Sequence, residues 1–212
     1  MGILIKIRTH LLEVVVLIST ALFLVGCSVG APSVPTQFYA LQGAETSYLK
    51  SMKIPTSAGL QVGIGPIEIP GYADRSQIVS VAKDSKMKIA DFDHWAEPVQ
   101  NNIERILVSN ISGLISSKQV FPYPASFQPG IDTLQVSMEI GDMIQTETGM
   151  VRLSVSWNIK KMSDNKLLSR ESAIYTKQAI YDDYTNYASS LSELFALLAV
   201  DIVYSIEKSR SQ

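Results

Sequence analysis

Leu134-Gln135-Val136-Ser137-Met138-Glu139-Ile140 and Val151-Arg152-Leu153-Ser154-Val155-Ser156-Trp157-Asn158-Ile159 decide the fold of this 212-residue chain. In both runs apolar and polar residues alternate, and a period of two is what a strand with one buried and one wet face requires. Gly141 to Met150 separate them and Gly149 suits a turn, so the runs pair as an antiparallel hairpin. Asp164-Asn165 makes the next turn, and Leu167 to Lys177 is the third strand of a meander, its inward face less clear from the pattern.

On either side of the meander the period changes to that of a helix. Glu97-Pro98 opens the first, because proline at the first helical position gives up no needed hydrogen bond and glutamate there complements the helix dipole. Val99, Ile103, Ile106, Leu107, Asn110, Ile111, Leu114 and Ile115 recur at helical spacing, with Asn101, Glu104 and Arg105 facing out, for about 20 residues or close to 30 Å. Phe121-Pro122-Tyr123-Pro124 then forbids helix. The closing helix carries Tyr187, Leu191, Leu194, Phe195, Leu198, Ile202 and Ile206 as its apolar stripe, with Lys208 and Arg210 suiting its C-terminal end.

Short strands precede all of this. Gln37 to Leu41 reads as the first, Thr46 to Ser57 as a polar loop, and Leu60 to Ile69 as the next strand, with Val62, Ile64 and Ile67 inward. Pro70-Gly71 ends it, and Tyr72 to Arg75 leads into Gln77 to Val81, which the reading pairs antiparallel with Leu60 to Ile69. Lys86 to Ala90 is short and alternating and is placed at a sheet edge. The order of strands, helix, meander and helix predicts an α+β single domain, with an antiparallel or mixed β-sheet and two amphipathic helices packed on one face.

The N-terminus reads differently. Lys6 and Arg8 precede an apolar run from Val14 to Leu24 of signal-peptide length, interrupted by Glu13 and too short to span a membrane. Leu24-Val25-Gly26-Cys27 closes it with a small residue before the only cysteine, and this pattern resembles a bacterial lipobox, in which the Cys27 thiol receives a diacylglycerol. The resemblance implies residues 1–26 as signal peptide, 27–36 as lipidated N-terminus and tether, and 37–212 as the folded domain. Ser28 stands where an aspartate would favour inner-membrane retention, which implies the periplasmic face of the outer membrane. Ser28 to Thr36 is small, polar and holds Pro32 and Pro35, a tether that reaches about 30 Å when extended.

Composition bounds the function. Without residues 1–26 the chain keeps 186 residues with 16 basic and 19 acidic groups, enough for one proper core. No Lys/Arg-dense run with interleaved aromatics exists to track phosphates, so nucleic acid is not an expected partner. With Cys27 acylated no disulfide can form, and stability must come from packing.

Catalytic patterns are equally sparse. His94, within Asp91-Phe92-Asp93-His94-Trp95, is the only histidine after the leader, whereas a catalytic zinc takes three protein ligands, mostly His or Cys. The stretch reads better as a solvated turn feeding the helix, with Trp95 as an apolar plug. There is no Gly-x-Ser-x-Gly elbow for a hydrolase, and Gly63-Ile64-Gly65-Pro66 lacks the rest of a phosphate loop. Asp182-Asp183 reads as a solvated helix cap. No catalytic residue, metal or cofactor is expected, and the chain reads as a non-enzyme.

The mature chain as a whole resembles the PqiC-like lipoproteins, the auxiliary lipoprotein family of ABC-type and paraquat-inducible intermembrane transport systems. The likeness rests on Phe38-Tyr39-Ala40-Leu41, on Val62-Gly63-Ile64-Gly65-Pro66 leading to Ile69-Pro70-Gly71-Tyr72 and Asp74-Arg75-Ser76-Gln77-Ile78-Val79, and on Trp95-Ala96-Glu97-Pro98. Asp132-Thr133-Leu134, Trp157 and the closing helix complete it, while Ala73 stands where many relatives carry a bulkier residue. The resemblance implies an outer-membrane docking component that works with an inner-membrane-anchored MCE-domain protein whose tube carries lipid across the periplasm. A collar around a tubular partner would favour a homo-oligomeric ring.

Tyr72, Asp74, Arg75 and Trp95 are the candidate docking residues, since aromatic rings and a forked guanidinium concentrate binding energy at interfaces. Against this stands a scaffolding role in which Trp95 caps the core beneath the helix. Two other functional readings compete: a structural or regulatory envelope lipoprotein acting on a cell-wall enzyme, which shares the anchor and fold, and a small periplasmic hydrolase, in which His94→Ala would abolish an activity.

Overall fold

The alternating run that ends at Gln145 forms the middle strand of an eight-stranded mixed sheet. The computed structural model describes residues 2, 7–8, 10, 13–19, 33–52, 60–115 and 119–210. They fall in two units, Met1–Pro35 and Thr36–Gln212. In the first, residues 13–19 are helical; Cys27, the lipobox residues before it and residues 53–57 of the expected polar loop lie outside the described residues.

In the second unit the elements in chain order are β1 (Gln37–Tyr39), α1 (Thr46–Ser51), β2 (Val62–Glu68), β3 (Gln77–Val81), β4 (Met87–Trp95), α2 (Val99–Leu114), β5 (Val120–Pro122), β6 (Leu134–Gln145), β7 (Met150–Lys161), β8 (Lys166–Gln178) and α3 (Tyr184–Arg210). The meander is as the alternation predicts: β6 pairs antiparallel with β7, and β7 with β8, along nearly their whole lengths. Val151, Leu153, Val155, Trp157 and Ile159 are all buried, and Arg152 on the other face is exposed. At the β6–β7 turn Gly149 has φ +82°, and a Cβ there would stand 2.4 Å from the Ala179 carbonyl oxygen, so only glycine fits.

The other edge of β6 overturns one sequence-based pairing. β2 and β3 are not a hairpin; both run parallel to β6 on the same edge, β2 against Leu134 to Glu139 and β3 at Gln145. The chain passes along β6 without reversing, and the connection between β2 and β3 lies beside the middle of that strand. The physical reason is in the pattern of β2, whose first four residues are all buried, as a parallel strand covered on both faces demands. β5 pairs parallel with the outer edge of β2, β4 pairs antiparallel with β3, and β1 pairs parallel with β4.

Three further expectations change. Asp91 to Trp95 is not a solvated turn but the second half of β4, held there because Gln37, Phe38 and Tyr39 pair with Asp93, His94 and Trp95. Only the first half of β4 is therefore a sheet edge. The Thr46 end of the expected loop is the six-residue helix α1, whose Leu49 is buried against α2 at Gly113, where a Cβ would come within 2.7 Å of the leucine side chain. α2 is 16 residues long rather than about 20, with Pro98 as the capping residue just before it.

Both long helices contribute to one apolar core with the sheet. α2 buries Val99, Ile103, Ile106, Leu107, Ile111 and Leu114, and α3 is buried on most of its circumference. By length and composition α3 would suffice to cross a membrane, but its Leu191, Phe195, Leu198, Ile202 and Ile206 are fully enclosed by protein, which makes it a core helix. Asp183 caps its start by accepting the Asn186 amide at 2.9 Å, which holds the carboxyl below the usual aspartate range.

Candidate functional site

The connection between β2 and β3 is built from the inside outward. Register along β6 shifts between Ile140 and Asp142, a bulge centred on Gly141. Tyr72 meets the strand just past it: its hydroxyl donates to Asp142 Oδ1 at 2.6 Å and accepts the Met143 amide at 2.9 Å. Burial, reinforced by the Asp142 carboxylate, pushes the Tyr72 phenol above its ordinary range. Asp142 Oδ2 lies 3.6 Å from the Arg152 guanidinium, so the carboxylate is shared between phenol and cation.

The backbone from Pro70 to Arg75 is a tight turn, with the Ala73 amide on the Pro70 carbonyl at 2.8 Å and the Arg75 amide on the Ala73 carbonyl at 2.9 Å. Ala73 is buried beneath it, while Asp74, Arg75 and Ser76 are exposed. Of the four residues singled out for docking, the structure thus leaves Asp74 and Arg75 at the surface and turns Tyr72 inward to half-burial. Trp95 is corrected: at 5% exposure it belongs to the core, because β4 extends to it and Tyr187 of α3 packs against its ring at 6.1 Å. The Tyr187 hydroxyl in turn donates to the Met143 carbonyl at 3.0 Å, so the backbone amide and the carbonyl of Met143 are each held by a tyrosine.

His94 does not gather a catalytic or metal set. Its Nε2 lies 3.2 Å from the Asp91 carbonyl oxygen and its ring meets Phe38 edge-on at 6.1 Å. Asp93 accepts the Tyr39 hydroxyl at 2.7 Å, and burial together with that carboxylate pushes Tyr39 up to about 12. Asp182 is bound by Lys88 at 2.6 Å. Among the described residues no three His, Cys, Asp or Glu side chains come together as metal ligands.

Sequence reasoning missed a groove of about 910 Å3 lined by the β1–α1 segment, by Thr176 and Lys177 of β8 and by one face of α3. Its size is that of a ligand site. The face of α3 offers Ala188, Ser192 and Ala196, small residues one turn apart, and beside them Leu197, which is 40% exposed. Phe38, 66% exposed, also lines the groove. That run of small residues in an otherwise bulky helix was the available signal.

Solved structures share this fold. A crystal structure of an uncharacterized protein superimposes with a TM-score of 0.66 at 18% identity, covering 82% of this chain and 99% of its own. A Xanthomonas campestris protein of the DUF330 family gives a TM-score of 0.66 at 12% identity, covering 84% of this chain and all of its own. No curated protein matches the chain. The sequence description of one family, the ABC-type transport auxiliary lipoprotein component, matches residues 39–203, from the last residue of β1 to deep in α3. The chain belongs to that family of auxiliary lipoproteins of ABC-type transport.

Proposed function

We propose that the protein is the outer-membrane docking component of an MCE-type intermembrane lipid-transport system and works without catalysis. Residues 1–26 direct export and are removed, Cys27 carries the acyl chains, residues 28–36 are the tether, and the domain from 37 onward faces the periplasm. It receives an MCE-domain protein anchored in the inner membrane, through whose tube the lipid moves, and several copies form a collar around that tube.

Family membership over residues 39–203 supports this reading, because the family is that of an auxiliary lipoprotein component of ABC-type transport. The turn at Asp74 and Arg75 supports it physically. Its exposed charges stand on a base fixed by Tyr72, so a partner would meet a surface that loses little freedom on binding.

The test is crosslinking in cells with the acylated protein, followed by identification of what is recovered. An MCE-domain protein among the products is the expected result. Recovery of a peptidoglycan-building enzyme in its place, with no MCE-domain protein, would replace this reading with that of a regulatory envelope lipoprotein.

A further inference from the structure

We infer that β8 is a dimerisation edge: it pairs antiparallel with β8 of a second copy about a two-fold axis at Ile174, and the two α3 helices pack together on the joined sheet. Among the described residues β8 has a strand on one side only, β7. It is 13 residues long and free of proline, whereas the outermost strands at the other ends of the sheet, β1 and β5, have three residues each. A long strand with one row of backbone N–H and C=O groups unpaired is a template for another strand.

The sequence of β8 says which strand. Counted outward from Ile174 it is complementary to itself, since Ser172 falls opposite Thr176 and Glu171 opposite Lys177. Each copy thus offers an acid where the other offers a base, twice over by symmetry, and opposite charges at directly facing positions favour a strand pair. Ile174, at the centre, is 61% exposed and meets its own symmetry mate. A strand from an unrelated protein has no reason to share this palindrome.

The helix beside β8 carries the same centre. Lys208 of α3 reaches Glu171 at 3.6 Å and Glu193 engages Lys177, so strand and helix run side by side in opposite directions. Midway between these two ion pairs lie Ile174 on β8 and the step from Val200 to Asp201 on α3. Leu197 and Tyr204 are equidistant from that step and about two turns apart, on the stripe of α3 that reaches β8, and both are exposed, Tyr204 at 54%. The axis that sets Ile174 on Ile174 therefore sets Leu197 of each copy against Tyr204 of the other. Because α3 packs on both β7 and β8, about one strand spacing inside the edge, its mate comes to about 10 Å, the separation of packed helices. A two-fold contact closes at two copies, so it is distinct from the head-to-tail contacts of a collar and does not rest on the transport reading.

The experiment is disulfide trapping of the full-length chain in cells, with one cysteine added at an exposed position of β8, mild oxidation, and the unaltered chain as blank. Ile174→Cys is expected to give a covalent dimer by itself. Ser172→Cys and Thr176→Cys, each about 13 Å along the strand from its own mate, should give none alone and a heterodimer when differently tagged copies are co-expressed. Adding Leu197→Asp to Ile174→Cys should lower the dimer yield at least fivefold without shifting the thermal midpoint. A dimer from Ser172→Cys alone, a disulfide from Ile174→Cys to another protein, or a yield untouched by Leu197→Asp overturns the inference, as does an Ile174→Cys chain that stays monomeric.

Discussion

Tyr72 and Asp142 lie 70 positions apart in the chain and 2.6 Å apart in space, joined by a hydrogen bond from phenol to carboxylate. It fastens the β2–β3 connection to β6 just past its bulge. Removing the hydroxyl leaves Asp142 and the Met143 amide each short of a partner, so Tyr72→Phe is expected to lower stability by about 1–3 kcal/mol. A urea midpoint unchanged from the parent would show that the bond contributes nothing.

The same bond sets a pH dependence at the alkaline end. Tyr72, Tyr175 and Tyr187 are raised by burial, and Tyr39 and Tyr184 are each pushed up to about 12, against an unfolded value near 10. A phenol whose folded value is raised stabilises the fold fully below the unfolded value, and that contribution is lost as pH rises through the folded one. Stability should therefore hold up to about pH 10 and decline above it. Absorbance titration of the folded protein should show five of the nine tyrosines ionising late; a single normal step for all nine would contradict this.

Asp74 and Arg75 separate docking from scaffolding. Arg75→Ala and Asp74→Ala, both at exposed positions, should shift stability by no more than about 0.5 kcal/mol while weakening recovery of the proposed MCE-domain partner. Trp95→Ala should do the reverse in kind, losing about 3–5 kcal/mol because it empties a core site. Equal partner recovery from Arg75→Ala and the parent would move the interface elsewhere.

Cys27→Ala should leave the domain folded, since the buried core residues that the structure describes run from Leu41 to Ile206. The variant is expected in the soluble fraction or as an unprocessed precursor. A processed band that fractionates with membranes as the parent does would refute the lipid anchor.

Gly149→Ala should cost more than about 1 kcal/mol, because the added methyl meets a carbonyl oxygen at a positive φ. At Gly113 the same change meets only the flexible end of Leu49, and the loss should be smaller. Thermal midpoints of the two variants provide the comparison.

The meander and both long helices were legible because their periods are local properties of the sequence, as Val151 to Ile159 and the stripe from Tyr187 to Ile206 show. The pairing of β2 and β3 was not. Nothing near Ile64 or Val79 says that both strands will pair with β6, which comes later in the chain. Asp91 to His94 looked polar enough for a turn, and only the partner strand at Gln37 to Tyr39 makes it extended. Of the candidate docking residues, the exposure of Arg75 was readable from its charge, whereas the burial of Trp95 depended on Tyr187 arriving from the last helix. Of the groove only the run of small residues in α3 was legible, because three segments distant in sequence line it.

The placement of β2 and β3 on one edge of β6 also sets the order in which the chain can fold. Val62 pairs with Leu134, about 70 residues later, whereas the β6–β7 and β7–β8 hairpins close over short turns. Loop-closure entropy makes the hairpins the early event and the parallel ladder the late one. A chain threaded through a membrane N-terminus first exposes β2 before the strand that will cover it has emerged. Its apolar Val62, Ile64 and Ile67 then spend that interval without partners, a window in which a chaperone has something to hold.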